Sequence, residues 1–222
     1  MVTTRALSKL AASGDADAQF RLGYRFAFSK DKRRRDLKRA VGMWKAAAEQ
    51  GHLRARCYLG TCYDFGSGTR RNLKRAMFWY HQAAVANHDV TQYNLALGYR
   101  DGLGVPRSQR IAVKWLRVSA AAGNPEAQND LGYCLHEGLG VRKDRGHAFR
   151  WYIRSAKQGV LRAQFNVGLC YRDGDGVTSS NQRAREWLRK AARRGHVEAR
   201  DVLTSIAPTS QTNSRASLTG TT

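Results

Sequence analysis

Cysteine and proline are scarce: the chain has four of the first and three of the second among 222 residues. Four unevenly spaced cysteines do not build a disulfide framework, which fits a reducing compartment. Three prolines argue against long irregular segments. No apolar run approaches the roughly 18 to 20 residues that cross a bilayer as a helix, which excludes an integral helical membrane protein. Residues 1–20 lack the apolar stretch of a secretory leader and carry Asp15 and Asp17, so the expected location is intracellular, in the cytoplasm. Acidic residues are also few. Against 39 Lys+Arg stand 17 Asp+Glu, leaving a formal net charge of +22 that attracts polyanions in general.

What the chain does have is internal repetition, which decides the fold before any single element is assigned. Met43, Trp79, Trp115, Trp151 and Trp187 stand 36 residues apart, each three residues after an alanine. Eight residues beyond each lies Gly51, Asn87, Gly123, Gly159 or Gly195, types that tolerate positive φ and can end a helix. A branched aliphatic with a small neighbour follows, as Leu59-Gly60, Leu95-Ala96, Leu131-Gly132 and Val167-Gly168. Glycine doublets come next, at Gly66/Gly68, Gly102/Gly104, Gly138/Gly140 and Gly174/Gly176. Between these signals apolar residues recur at three and four: Ala127, Leu131 and Leu135 in one stripe, Ile111, Trp115 and Val118 in the other. That is the period of amphipathic helices, not strands.

Each repeat therefore holds two helices, A (about 125 to 137 in one unit) and B (about 144 to 158). One pair cannot bury both apolar stripes, so neighbours supply the missing core. The expected fold is all-α, a right-handed α/α solenoid of about five 36-residue helix-turn-helix repeats spanning residues 1–206. The units are expected at about 15–51, 52–87, 88–123, 124–159 and 160–195, with capping helices at about 4–13 and 196–206. From Pro208 the composition turns to Ser, Thr, Gly and Asn, and residues 207–222 read as a disordered tail.

The spacing of Leu59, Gly60 and Tyr63 matches the helix A signature of tetratricopeptide repeats, but those run 34 residues. The G-x-G-V turn, as in Gly102, Gly104 and Val105, followed by A-x-x-W-Y, resembles the Sel one-like repeat family, a relative of that group. The first unit departs from the pattern: it has lost the glycine doublet, carries Lys30 to Arg35 instead, and is expected to have a longer turn. Met43 replaces tryptophan, Trp44 takes the usual tyrosine place, and Leu135 replaces tyrosine in the fourth unit. The resemblance implies a noncatalytic adaptor that holds other proteins together. Some members are crosslinked by cysteine pairs joining A to B; this chain has no cysteine on a B segment, so that secreted branch is a poor match.

Chemistry leaves few candidates. The G-x-G segments follow a helix in an all-helical repeat, so they are turns and not dinucleotide loops, which follow a strand. Cys62, Cys134 and Cys170 share one repeat slot and read as core packing, and no C-x-x-C suggests zinc. His52, His88 and His196 lie on the repeat grid, whereas His81, His136 and His147 show no ligand or triad spacing. No catalytic residue, metal site or cofactor is expected, and the protein reads as non-enzymatic.

Charge is unevenly placed. The turns and B segments at 30–50, 69–86, 105–122, 141–158 and 177–194 hold 28 basic and 5 acidic residues, and the rest of the chain 11 and 12. In a tetratricopeptide-like superhelix A helices line the concave groove, so a nearly neutral groove inside a basic convex shell is expected. The groove slots carry Phe20, Tyr24, Tyr93, Leu97, Asn129, Tyr133, Phe165 and Leu169, a set suited to a peptide or domain of a partner protein, although rings there also suit sealing between repeats. The alternative is a polyanion-binding module for nucleic acid or an acidic surface, using Arg71, Lys74, Arg110, Lys114, Arg150, Arg189 and Arg193. No aromatic interleaving accompanies that charge, which argues against sequence-specific recognition. Lys32 to Arg35 would suit a nuclear import patch in a eukaryote.

Overall fold

The computed structural model describes residues 3–86 and 89–206, apart from the side chains of Arg34 and Asp89, and every regular element among the described residues is helical. The tail expected at 207–222, and the grid positions Asn87 and His88, lie outside the described residues. The chain divides into two compact units, Met1–Asp144 and Arg145–Thr222.

In the first unit α1 (Thr4–Ala12), α3 (Leu37–Glu49), α5 (Leu73–Ala84) and α7 (Gln109–Ala121) are B helices. The A helices are α2 (Ala16–Ala27), α4 (Leu53–Phe65), α6 (Asp89–Asp101) and α8 (Pro125–Glu137). Each helix packs on the next, so α3, α5 and α7 each lie between their own A helix and that of the following repeat. The side chains of Asp36, Asn72 and Ser108 open the B helices by accepting from the N–H of Arg39, Arg75 and Ile111. The backbone N–H groups of these same residues donate back to the preceding A helix, to the carbonyls of Phe26 (2.9 Å), Tyr63 (2.8 Å) and Tyr99 (2.8 Å). One residue thus both starts helix B and fixes it to helix A. The first turn is longer, as its sequence implies, and passes through a short 3₁₀ turn at Lys32–Arg34 capped by Asp31.

Small residues on A meet bulky ones on B. A Cβ on Gly23 would lie 2.7 Å from the Trp44 indole, and one on Gly60 2.7 Å from the Tyr80 ring. Trp44, Tyr80 and Leu116 are the large buried plugs of the B helices, one residue after the grid that marks the repeat. Trp79 and Trp115, on that grid, are only half-buried. At the B-to-A joints the buried side chains of Gln19, Gln92 and Gln128 donate to the carbonyls of Ala11 (3.2 Å), Ala84 (3.3 Å) and Ala120 (3.1 Å). In the second repeat Arg56 fills that role, donating to the Ala48 carbonyl at 3.2 Å. These bonds satisfy carbonyls that a helix end leaves without intrahelical partners.

The two glycines of each doublet do different jobs. Gly66 and Gly138 end α4 and α8 in the left-handed region, their N–H groups returning to Cys62 and Cys134. The second glycine seats the turn on the previous repeat. A Cβ on Gly68, Gly104 or Gly140 would overlap the backbone of Leu37, Leu73 or Gln109, the first residue of the B helix one unit earlier.

The second unit repeats these devices in α9 (Arg145–Lys157), α10 (Leu161–Asp173), α11 (Asn181–Arg193) and α12 (Val197–Ser205), packed in sequence. Gly168 meets Leu188, Gly176 abuts Arg145, and the Gln164 amide donates to the Ala156 carbonyl at 3.3 Å. Ser180 opens α11 and donates its N–H to the Tyr171 carbonyl at 2.7 Å. Buried Ile206 follows α12, its carbonyl held by Arg185 at 2.7 Å.

Candidate functional site

The expected groove residues fall into two sets according to their place around the signature aliphatic. Of the residues two before it, Phe20, Tyr93 and Phe165 each meet a residue of the next repeat. The Phe20 ring is buried and stacks on His52, centroids 4.6 Å apart. His52 caps α4 by accepting from the Ala55 N–H through Nδ1 at 3.1 Å. The Tyr93 hydroxyl donates to Asp130 Oδ2 at 3.0 Å, and Asn129, also buried, donates to Asp130 Oδ1 at 3.1 Å. In the second unit Phe165 stacks on His196 at 4.4 Å. Phe20 and Asn129, expected to line an open groove, are instead buried, Phe20 beneath the His52 ring. Burial, and then the Asp130 carboxylate, push the Tyr93 hydroxyl well above the usual tyrosine range.

Residues two after the aliphatic turn outward. Tyr24 is 44% exposed and Tyr133 51%, while Leu97 and Leu169 are half-buried. Leu97 borders a cavity of about 130 Å³ with Asp64, Met77, Tyr80, Asn94 and Asp101. The cavity arises where the third unit breaks pattern: Gly98 stands in the slot of Cys62 and Cys134, and the Met77 thioether lies against it. The Tyr80 hydroxyl donates to Asp64 Oδ2 at 3.2 Å, which closes one side.

The most prominent exposed feature takes only Tyr24 from the expected residues. Along α2 and its C-cap, Arg21, Tyr24, Arg25 and Phe28 recur at three and four and are all exposed, Phe28 at 53%. Tyr24 and Phe28 touch with centroids 4.6 Å apart, and Tyr58 of α4 meets both edge-on at 6.2 Å. Trp44 lies behind Tyr58 at 4.9 Å, tying this patch to the core. The Arg54 guanidinium sits 5.1 Å from the Phe20 ring centroid. Burial first, with the neighbouring Tyr24, raises the Tyr58 hydroxyl above its ordinary value, against hydrogen bonding from Arg54. Asp17 answers one cation, pairing with Arg21 at 2.7 Å. The signal was present in the sequence as R-x-x-Y-R-x-x-F at helical spacing, in the unit whose lost glycines drew attention to its turn.

Arg71, Lys74, Arg110, Lys114, Arg150, Arg189 and Arg193 are all exposed. Arg71 belongs to a turn, its Nε donating to the Asp64 carbonyl at 2.8 Å. Elsewhere on B helices cations lie over the grid tryptophans: Arg154 is 4.6 Å from the Trp151 centroid and Lys190 4.2 Å from that of Trp187. Cys62, Cys134 and Cys170 are buried and Cys57 partly so, all as thiols. Among the described residues no three His, Cys, Asp or Glu side chains converge as a metal would require. No helix among them is long and apolar enough to cross a membrane.

Comparison with known proteins agrees with this architecture. The Sel1 repeat matches five times, at residues 16–52, 53–88, 90–124, 125–160 and 161–196. A search of the curated proteins finds no match. Among solved structures, a protective antigen of uropathogenic Escherichia coli displaying an SLR fold is 33% identical, with a TM-score of 0.86 over 92% of this chain. This chain spans only 44% of that protein's length. A Sel1 repeat protein from Oxalobacter formigenes is 30% identical, with a TM-score of 0.77 over 91% of this chain and 82% of its own. With five matched units, the glycine doublets seated on preceding repeats and these two likenesses, the chain belongs to the Sel1 repeat family.

Proposed function

We propose that this protein is a non-enzymatic scaffold that captures a peptide or domain of another protein on its A-helix face. Sel1 repeat proteins generally mediate protein–protein interaction. The observation that carries the reading here is the exposed pair Tyr24 and Phe28, backed by Tyr58 and anchored through Trp44. Exposed rings held rigidly by a core lose little entropy when covered, and such rings dominate binding energy at interfaces. Tyr133, exposed on α8 at the slot equivalent to Tyr24, extends the same kind of contact along the first unit.

The test is affinity capture from native lysate with nuclease added, washed at two salt concentrations. Tyr24→Ala with Phe28→Ala is expected to lose the salt-resistant protein partner while the helical circular-dichroism signal stays. Capture of the same partner by the double variant would end the reading. Companions removed by nuclease or by salt would instead point to the exposed arginines and lysines of the turns and B helices.

A further inference from the structure

We infer that single-stranded nucleic acid, RNA or DNA, lies along a basic ridge of the first unit, held through its phosphates without regard to sequence. The ridge is carried by other residues than the Tyr24 and Phe28 patch, so it adds a second surface to the scaffold reading. Two rows of cations recur at the 36-residue period: Lys38, Lys74 and Arg110 at the starts of α3, α5 and α7, and Arg71, Arg107 and Lys143 in the turns. All six are exposed. The glycine doublets interleave the rows. The first glycine places the turn cation, since a Cβ on Gly66 or Gly102 would lie 3.3 Å from the β-carbon of Arg71 or Arg107, and one on Gly138 3.5 Å from that of Lys143. The second glycine seats that turn on a helix start one repeat earlier. A Cβ on Gly104 would lie 2.7 Å from the Lys74 amide nitrogen, and one on Gly140 2.8 Å from that of Arg110. Each turn cation thus belongs to a turn that rests on the helix-start cation of the repeat before it, and the charge runs on from repeat to repeat.

Little answers this charge. Arg71 donates to the Asp64 backbone carbonyl, and Arg107 attracts Asp101, a carboxylate already held by two hydrogen bonds from Arg100. Lys38, Lys74, Arg110 and Lys143 make no hydrogen bond or ion pair among the described residues. Residues 69–86 and 105–122, which hold α5, α7 and the turns before them, contain no Asp or Glu. A ligand with one negative charge per monomer suits cations that recur once per repeat in each row, and every phosphate so neutralised releases counterions. Rings lie beside the ridge. One turn after Lys74 on the outward side of α5 comes Phe78, 55% exposed and braced edge-on by Trp79 at 5.1 Å. Exposed His81 follows, edge-on to Trp115 at 6.0 Å. Bases beside a bound backbone stack on such rings, a contact that tolerates any sequence. The carboxylates of an acidic protein do not each bring a planar group, and lipid headgroups carry none, so cations paired with open rings favour the nucleotide strand.

Fluorescence anisotropy on the full chain tests this with labelled oligothymidylate and oligouridylate between about 50 and 200 mM salt. Binding is expected, with log K falling against log salt at a slope of about −4, which is roughly 0.7 for each of six phosphates. Lys74→Glu with Arg110→Glu should weaken it about tenfold or more and flatten the slope by about 1.4. Arg189→Glu with Arg193→Glu, the same change of charge on α11, should do much less. Phe78→Ala should weaken binding about fivefold or more at an unchanged slope. A preference between the two oligonucleotides supports the ridge and tells RNA from DNA. No binding of either at the low-salt end would overturn the inference, as would equal losses in the two charge-reversed variants, or tighter binding of polyglutamate or of phosphatidylserine vesicles. Circular dichroism checks that each variant is folded. Tyr24→Ala with Phe28→Ala should bind both oligonucleotides as before, and its loss of the protein partner tests the scaffold reading alone.

Discussion

The Tyr93 hydroxyl on α6 donates to the Asp130 carboxylate on α8, 3.0 Å away across the seam between two repeats. Asp130 also accepts from Arg100 Nη1 at 3.4 Å, and Arg100 is held in turn by Asp101. This ring is therefore part of the joint. Tyr93→Phe is expected to lower the unfolding free energy by about 1 kcal/mol, the usual worth of one such bond, because Arg100 still satisfies the carboxylate. Partner capture should not change. Urea denaturation and capture on the same preparation check both halves.

Gly104 and Gly123 both have positive φ, but a Cβ would overlap a neighbour's backbone at Gly104 and meet open space at Gly123. Gly123→Ala should cost about 1 kcal/mol, the penalty of placing a Cβ in the left-handed region. Gly104→Ala carries the same penalty plus an overlap with the Leu73 backbone, and should cost about 1–3 kcal/mol more. Equal losses in thermal or urea unfolding would show that the second glycine of the doublet serves only the turn.

Trp44 and Trp79 look alike in sequence and differ in place. Trp44 is 1% exposed beneath Tyr58, while Trp79 is half-buried. Trp44→Ala is expected to cost about 3–5 kcal/mol, and Trp79→Ala clearly less. Denaturation midpoints of the two variants give the comparison. Since Trp44 supports the exposed patch, its loss should also weaken capture where the protein remains folded.

Burial pushes the thiols of Cys62 and Cys134 up to about 11 and that of Cys170 to about 12. In the unfolded chain a thiol titrates near about 8.5. Above that pH the unfolded state releases protons that the native state keeps, so stability is intact below about pH 8.5 and declines as pH rises toward 11. Unfolding free energies at pH 8 and pH 10 should show the decline, and Cys→Ala at the three positions should reduce it. Iodoacetamide should reach Cys57, the partly exposed thiol, before the other three.

Helix placement was legible because each repeat meets the same neighbours and so keeps the same pattern. Helices expected at about 125–137 and 144–158 are Pro125–Glu137 and Arg145–Lys157. The face of each ring was harder to read. Phe20 and Tyr24 lie one turn apart on the same helix, yet His52 of the next repeat covers the first and leaves the second in solvent. Periodicity within one helix does not encode what a neighbour will cover. The Arg-Tyr-Arg-Phe stripe on α2 was readable from spacing, but only the ring contacts with Tyr58 show that it forms one surface with α4. The second glycine of each doublet likewise read as turn chemistry, because its close approach is to residues 31 positions earlier, such as Leu37 for Gly68.

That approach makes the length of the protein quantal. Adding one residue between Leu73 and Gly104 would move the glycine off its seat and bring a side chain against the backbone of the earlier helix. Adding a whole copy of the unit leaves every seat matched. Genes for such a chain can thus lengthen or shorten by duplication and loss of complete modules, while single-codon insertions within the seated span are selected against.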